Sequence, residues 1–236
     1  GYNNPRVNNA MIKQIKKGVN FSIPSTLEYE LGTMLLNRFP LYKALKFFKN
    51  GADAVYAAVR SSRYFSHKDK VLSCEYHGWL DWCSPWYYKC SPSQLGIPNL
   101  IESTHIHCDK DAETIKKNII INASSLACIV LCPANYAPDQ LKQIINMCKN
   151  YHIYTIFDEV TSGIRYAYGG VTTFYKLNPD FLCISKGLTN GLPLAVVMGP
   201  QNEIINMSNL KISNAHSSEN LALAAAIECE HMLQES

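Results

Sequence analysis

Two apolar runs flank one helical pattern in the middle of the chain. Ala127–Cys132 is continuously apolar and Ile153–Phe157 is mostly apolar, as is typical of strands buried on both faces. Between them, Pro138–Asn150 has the apolar spacing of an amphipathic helix and carries proline in its first turn. Such a unit places two parallel strands side by side. We therefore expect an α/β fold with a mainly parallel sheet and helices on both faces.

The N-terminal half contains two further helical patterns. Ser25 and Glu28 have capping-box spacing and precede a helix expected over 26–38, which ends before Pro40. The apolar run Leu45–Phe48 is then followed by a turn at 50–53 that opens a second helix. This order predicts a strand that turns directly into a helix N-terminus.

The remaining patterns extend the same alternation. Phe181–Ser185 and Leu194–Met198 are apolar runs that predict strands, and Glu219–Leu233 predicts an alanine-rich helix. Short strands begin near Val71. Residues 79–100, with Trp79, Trp82, Trp86 and Tyr87, predict a structured aromatic loop.

Composition excludes several classes of protein. The chain has 236 residues, 47% hydrophobic and 17% charged, with a net charge of +3, so we expect a compact fold and no nucleic-acid partner. No apolar run is long enough to cross a bilayer and the N-terminus lacks the apolar core of a signal peptide, so we expect a cytoplasmic protein with no membrane partner.

The nine cysteines form no CxxC pair, and several lie in apolar runs, which favours reduced thiols in the core. The stretch 105–108, His-Ile-His-Cys, offers metal ligands. No second cluster at zinc spacing accompanies it, so we expect a polar strand end and no metal site.

Charged side chains follow two of the predicted strands. Asp158 follows Ile153–Phe157, and Lys186 follows Phe181–Ser185. Ligands of open parallel sheets bind at the carboxyl ends of strands, where Gly51 and Ala52 would also present a helix N-terminus to a phosphate. An amine, a carboxylate and a phosphate cradle are what pyridoxal 5'-phosphate requires. A solvated ion pair is the alternative, and spacing alone does not decide between them.

Longer motifs favour the cofactor site over the solvated ion pair. The run 156–165, Ile-Phe-Asp-Glu-Val-Thr-Ser-Gly-Ile-Arg, resembles the signature of class III aminotransferases, in particular the glutamate-1-semialdehyde aminomutase branch of these fold type I pyridoxal-phosphate enzymes. Residues 179–187 look like the lysine motif of this family, 76–79 like its aromatic loop, and 50–54 like its phosphate-binding turn. The segment Ser217–Glu219 resembles the part of the family that reaches the partner subunit's cofactor.

The resemblance implies an aminotransferase or aminomutase that moves an amino group through an aldimine at Lys186. Catalytic roles fall to Lys186, as the Schiff-base lysine, and Asp158, as the partner of the pyridinium nitrogen. The implied cofactor-binding residues are Gly51, Ala52, Tyr76, His77, Asp158, Val160 and Lys186, with Tyr76 and Val160 on the two faces of the ring. The implied partners are a small-molecule amino donor and acceptor, and a second copy of the chain in a homodimer.

The chain also departs from the family pattern. Ala52 and Ala215 stand where the family has hydroxyl residues that contact the phosphate, Cys132 stands where a glutamate precedes proline, and Leu80 replaces a second histidine. These departures leave open a catalytically impaired homologue retained for binding or assembly. The third alternative, an unrelated nucleotide-binding enzyme, lacks both GxGxxG and GxxxxGK[ST].

Members of the resembled family are longer, and we expect their small C-terminal domain to be missing from this chain. We therefore expect residues 1–236 to form a single pyridoxal-phosphate-binding large domain, as a fragment or a truncated form, with 1–24 as an N-terminal extended segment.

Overall fold

The computed structural model describes residues 2–83 and 91–235. Its helices are α1 (Pro5–Ile15), α2 (Thr26–Arg38), α3 (Gly51–Ser66), α4 (Ala112–Asn122), α5 (Pro138–Asn150), α6 (Gly170–Phe174), α7 (Gln201–Asn206) and α8 (Asn220–Gln234). Its strands are β1 (Ala44–Phe48), β2 (Lys70–Ser73), β3 (His105–His107), β4 (Leu126–Leu131), β5 (Tyr154–Asp158), β6 (Phe181–Ile184) and β7 (Ala195–Gly199). Short 3-10 helices span Pro92–Leu95, Asn99–Thr104, Pro133–Asn135 and Lys186–Thr189. Of the predicted aromatic loop, Trp86 and Tyr87 lie outside the described residues.

The strands form a seven-stranded sheet in the order β1-β7-β6-β5-β4-β2-β3. Neighbours are parallel from β3 through β6, whereas β7 is antiparallel to both β6 and β1. Only 185–194 join β6 to β7, and a parallel connection needs about a dozen residues or more, so β7 must reverse. The prediction of a mainly parallel sheet is confirmed.

The predicted strand–helix–strand unit is β4, α5 and β5. α5 has the predicted bounds, and Val130 of β4 pairs with Ile156 of β5 in parallel register. β6 is the next neighbour of β5, with Asp158 opposite Cys183. The carboxyl ends of β5 and β6 therefore meet at one edge of the sheet, which brings Asp158 and Lys186 to the same region.

Helices cover both faces of the sheet. In β4, which is fully buried, Cys128 and Val130 belong to the core cluster that contains side chains of α3 and α7. Ile129 and Leu131, which point to the opposite face, belong to the cluster formed with α2, α4, α5 and α8. This alternation explains why the strand sequence is apolar throughout and has no period of two.

The N-terminal region differs from the expected extended segment, because Pro5–Ile15 is an α-helix. The side chain of Asn4 caps it by accepting a hydrogen bond from the backbone N–H of Arg6 at 2.9 Å. Val7 is buried against Ala225 and Cys229 of α8. Met11 packs against the same cluster, so α1 is amphipathic and is stabilised by the contact of its apolar side with α8.

The cysteines described are all free, and Cys128 and Cys183 are fully buried in strands. None of the helices within 2–83 and 91–235 combines the length and the apolar character needed to cross a lipid bilayer.

Candidate active site

A cavity of about 1200 Å³ opens at the carboxyl edge of the sheet. All residues that the sequence predicts as site residues line it: Gly51, Ala52, Tyr76, His77, Asp158, Val160 and Lys186. They come from four separate loops, so the fold is what brings them together. The structure thus places the predicted set in one site, while the individual roles remain predictions.

Asp158 is the last residue of β5, and its carboxylate is held from two sides. Oδ2 accepts a hydrogen bond from His77 Nδ1 at 2.8 Å, and Oδ1 accepts one from the backbone N–H of Val160 at 3.1 Å. The residue is only 8% exposed and lines the cavity. The carboxylate is therefore fixed in orientation before any ligand arrives.

His77 lies behind Asp158 and is completely buried. Burial by itself lowers its pKa, but the hydrogen bond to Asp158 and the nearby Cys132 and Glu75 outweigh burial and raise the pKa well above the usual value. The ring of Trp82 lies nearly parallel to the imidazole, with the ring centres 6.2 Å apart, and limits its rotation.

Lys186 begins a 3-10 helix two residues after β6 ends. Its backbone φ is +46°, a left-handed conformation that is uncommon for residues other than glycine and concentrates at functional sites. Its Nζ donates a hydrogen bond to Thr161 Oγ1 at 2.7 Å. Among the described residues the amine makes no ion pair with a carboxylate, so the alternative of an Asp158–Lys186 ion pair finds no support.

The N-terminus of α3 forms another wall. Asn50, Gly51 and Ala52 line the cavity, and the side chain of Asn50 makes no capping hydrogen bond to the helix. It donates to Asp53 Oδ2 instead, at 3.1 Å. The first N–H groups of this 16-residue helix are therefore not satisfied by their cap residue, which is the arrangement that binds anions.

Glycine is required at the start of α3 by a close contact. A Cβ on Gly51 would lie 2.6 Å from Val160 Cγ2. Val160 in turn follows Asp158 by two residues and is half-buried on the cavity wall. The contact therefore fixes the helix N-terminus relative to the carboxylate.

Three functional candidates escaped the sequence patterns. Thr161 contacts the amine of Lys186, and Glu75 lies with its Oε2 3.7 Å from His77 Nε2. Lys49, also on the cavity wall, donates to Glu219 Oε1 at 3.0 Å. Lys49 directly follows a predicted strand and could have been found by the rule that led to Asp158. Thr161 and Glu75 could not have been found in this way, because only the folded structure shows that Thr161 contacts Lys186 and that Glu75 contacts His77.

The stretch 105–108 takes part in other contacts. His105 Nε2 lies 2.9 Å from Ser73 Oγ, and the Sγ atoms of Cys108 and Cys74 are 3.4 Å apart. Cys132, where the family has glutamate, lies with its Sγ 4.0 Å from His77 Nδ1. The departure at 132 is thus inside the site and not a peripheral change.

Comparison with known proteins finds relatives of this chain. The model for "Aminotransferase class-III" matches residues 133–236, which include Asp158 and Lys186. The chain is a relative of the class III aminotransferases. A glutamate-1-semialdehyde 2,1-aminomutase of Thermodesulfovibrio yellowstonii is 29% identical over 255 residues, covering 100% of this chain and 60% of that protein. The resemblance found in the sequence motifs is confirmed.

A second relative and a solved structure extend the comparison. The 3-aminobutyryl-CoA aminotransferase of Cloacimonas acidaminovorans is 29% identical over 212 residues, or 85% of this chain and 50% of that protein. FumI of Sphingopyxis sp. MTA144, solved with its internal PLP aldimine, superposes with a TM-score of 0.89 at 20% identity over 100% of this chain and 58% of that chain. It shows the shared fold. The chain spans 60% or less of the length of these relatives.

Proposed function

We propose that this chain binds pyridoxal 5'-phosphate in the cavity and moves an amino group between small molecules, as an aminotransferase or an aminomutase. The observation that carries the proposal is the convergence of Lys186, Asp158 and the N-terminus of α3 on one cavity. The relatives whose printed names are aminotransferase and aminomutase support it.

The donor set fits this cofactor. A phosphate would accept hydrogen bonds from the backbone N–H groups of Gly51 and Ala52. The fixed carboxylate of Asp158 would accept a hydrogen bond from the protonated ring nitrogen of the cofactor. The amine of Lys186 is hydrogen-bonded to the neutral hydroxyl of Thr161 and is therefore available for covalent chemistry. Tyr76 and Val160, both on the cavity wall, would contact the two faces of the ring.

When bound, the cofactor supplies a carbon that amines can attack and a ring that withdraws electrons from the substrate carbon. The residues of the chain position the cofactor and the substrate and transfer the proton. Lys186 Nζ, released from its covalent role, would carry the proton between the two reacting carbons. Asp158 would hold the proton on the ring nitrogen, and His77 would keep the Asp158 carboxylate in that orientation through the 2.8 Å hydrogen bond.

We also propose a homodimer as the functional form, because the resembled family builds each site from two chains. Aromatic side chains on the cavity wall remain uncovered in the single chain: Trp79 is 73% exposed and Tyr76 is 43% exposed. A second copy that covers them would also close the cavity to water. Sedimentation at micromolar concentration should show a dimer, and a strictly monomeric chain would contradict this proposal.

One observation favours the impaired homologue. Ala52 faces the cavity at the N-terminus of α3 and offers no hydroxyl to a phosphate. Binding would then rest on backbone N–H groups and on the Lys186 linkage. An impaired homologue would still bind the cofactor, so binding alone does not separate the two functions.

The test therefore measures binding and transfer separately. Cofactor titration, followed by visible absorption, should saturate at one equivalent, and a panel of ¹⁵N-labelled amines should then yield labelled product from keto or aldehyde acceptors. Lys186→Ala should abolish transfer, and Lys176→Ala is the matched control because Lys176 follows α6, away from the cavity wall. Binding without transfer across the panel would establish the impaired homologue. Absence of binding would overturn both proposals.

A further inference from the structure

Three side chains with metal-binding atoms meet behind Asp158. Glu75 and His77 follow β2, and Cys132 follows β4. Because β2 and β4 are parallel neighbours, their carboxyl ends lie side by side. One donor atom from each of the three residues lies within 4.8 Å of the other two. The grouping is therefore a product of sheet topology, since 132 is distant in sequence from 75 and 77.

Two atoms of this group are buried without a hydrogen-bond partner. His77 Nε2 and Glu75 Oε2 face each other at 3.7 Å, which is too long for a hydrogen bond. Glu75 is 3% exposed and His77 is 2% exposed. Buried polar atoms are almost always hydrogen-bonded, and these two face each other at ion-pair distance without a hydrogen bond, so the gap between them is a position for a ligand that bonds to both.

The surrounding contacts already orient both residues for a cation. His77 Nδ1 donates to Asp158 Oδ2 at 2.8 Å, which leaves Nε2 directed at the gap. Metal-bound histidines usually make this hydrogen bond to a carboxylate through their other nitrogen. Glu75 is oriented in the same way, because its Oε1 accepts a hydrogen bond from Asn135 Nδ2 at 3.4 Å.

We propose that Glu75 Oε2, His77 Nε2 and Cys132 Sγ form a binding site for a divalent cation of the zinc class. Metal–ligand bonds of about 2.0–2.3 Å in tetrahedral geometry separate the ligand atoms by roughly 3.3–3.8 Å. The Glu75–His77 separation of 3.7 Å already meets that requirement. Cys132 Sγ lies 4.0 Å from Nδ1 of the same imidazole, so its side chain must move towards the Glu75–His77 gap to bind the ion. Cys132 lines the cavity, so a water can complete the fourth position from that side.

The mixture of ligands selects the metal. A thiolate, an imidazole and a carboxylate suit Zn²⁺ and Co²⁺ better than Mg²⁺ or Ca²⁺, which prefer oxygen ligands alone. The thiolate and the carboxylate together neutralise the two positive charges of the ion. On binding, the Cys132 thiol releases its proton to solvent, and His77 binds through an unprotonated Nε2.

The test uses the full chain, free of tag and cofactor, reduced and treated with chelator. Titration with Co²⁺ should give one equivalent of binding and the near-ultraviolet absorption of a cobalt–thiolate bond, and Zn²⁺ should displace it. Cys132→Ser should remove that absorption and weaken binding by at least tenfold. Glu75→Gln should keep the absorption and weaken binding by roughly ten- to a hundredfold. Cys229→Ser, a buried cysteine of α8, is the matched control and should change neither.

Several results would overturn the site. Binding of less than one equivalent at micromolar concentration would do so, as would an unchanged absorption in Cys132→Ser. Loss of the absorption in Cys74→Ser would assign the ion to the Cys74–Cys108 pair instead. Circular dichroism of each variant separates loss of the site from loss of the fold. The titration requires no pyridoxal phosphate, so its outcome is independent of the proposed function.

Discussion

Replacing Ala52 by serine should restore a phosphate contact that this chain lacks. Ala52 is the second residue of α3 and lines the cavity. Gly78 lies against it on one side, since a Cβ on Gly78 would be 2.6 Å from that of Ala52. Gly78 thus packs closely against one side of residue 52, and we expect a serine hydroxyl at this position to point towards the cavity, where the phosphate would lie.

The size of the gain follows from one hydrogen bond. A hydrogen bond to a charged group contributes about 1.5–3 kcal/mol, and ordering a side chain costs roughly 0.5–1.5 kcal/mol. The net of about 1–1.5 kcal/mol corresponds to roughly five- to tenfold tighter binding. Absorption titration of wild type and Ala52→Ser with pyridoxal phosphate measures this ratio directly.

Two controls isolate the phosphate. Pyridoxal lacks that group and should bind both proteins equally. Ala134→Ser adds the same hydroxyl to a cavity residue that follows β4, away from the helix N-terminus, and should leave the affinity unchanged. If Ala52→Ser binds both compounds with wild-type affinity, residue 52 does not face the phosphate and the cofactor is placed wrongly.

Two substitutions should change the free energy of unfolding, measured by urea denaturation. Gly51→Ala would place a Cβ 2.6 Å from Val160 Cγ2 and should destabilise the fold by about 1–3 kcal/mol. Gly32→Ala is the control: its Cβ would have its nearest neighbour at 4.0 Å, so this substitution should be neutral or stabilise the fold by up to about 1 kcal/mol. Arg38→Met leaves the Glu230 carboxylate buried without its partner and should cost about 3–5 kcal/mol, and equal stability of wild type and this variant would contradict the pairing.

The elements that the sequence predicted well are those with strong local signals. α2 and α5 have the expected bounds, because the residue types at 25–28 and a first-turn proline at 138 mark where they begin. The predicted capping box itself does not form, since the Ser25 side chain makes no capping hydrogen bond to α2. The strands β4 and β5 were found from their apolar runs. These signals depend only on residues that are neighbours in the sequence, so they can be recognised without knowledge of the fold.

The parts that the sequence did not predict depend on distant contacts. The helix Pro5–Ile15 is stabilised by Val7 and Arg6 against α8, a contact that no local pattern shows. The antiparallel direction of β7 follows from the short 185–194 connection and from its pairing with β6. In the site, the sequence supplied Asp158 and Lys186, but the position of Glu75 beside His77 and Cys132 requires the strand order β4-β2.

The central claim is that Lys186 is the covalent anchor of pyridoxal phosphate. Incubation with the cofactor, borohydride reduction and peptide mass spectrometry test it most directly, because reduction makes the attachment permanent and digestion locates it. We predict one reduced cofactor per chain on the peptide that contains Lys186, and none on the Lys186→Ala protein. Equal labelling of the variant, or an adduct that maps to Lys176 or Lys211, would contradict the account.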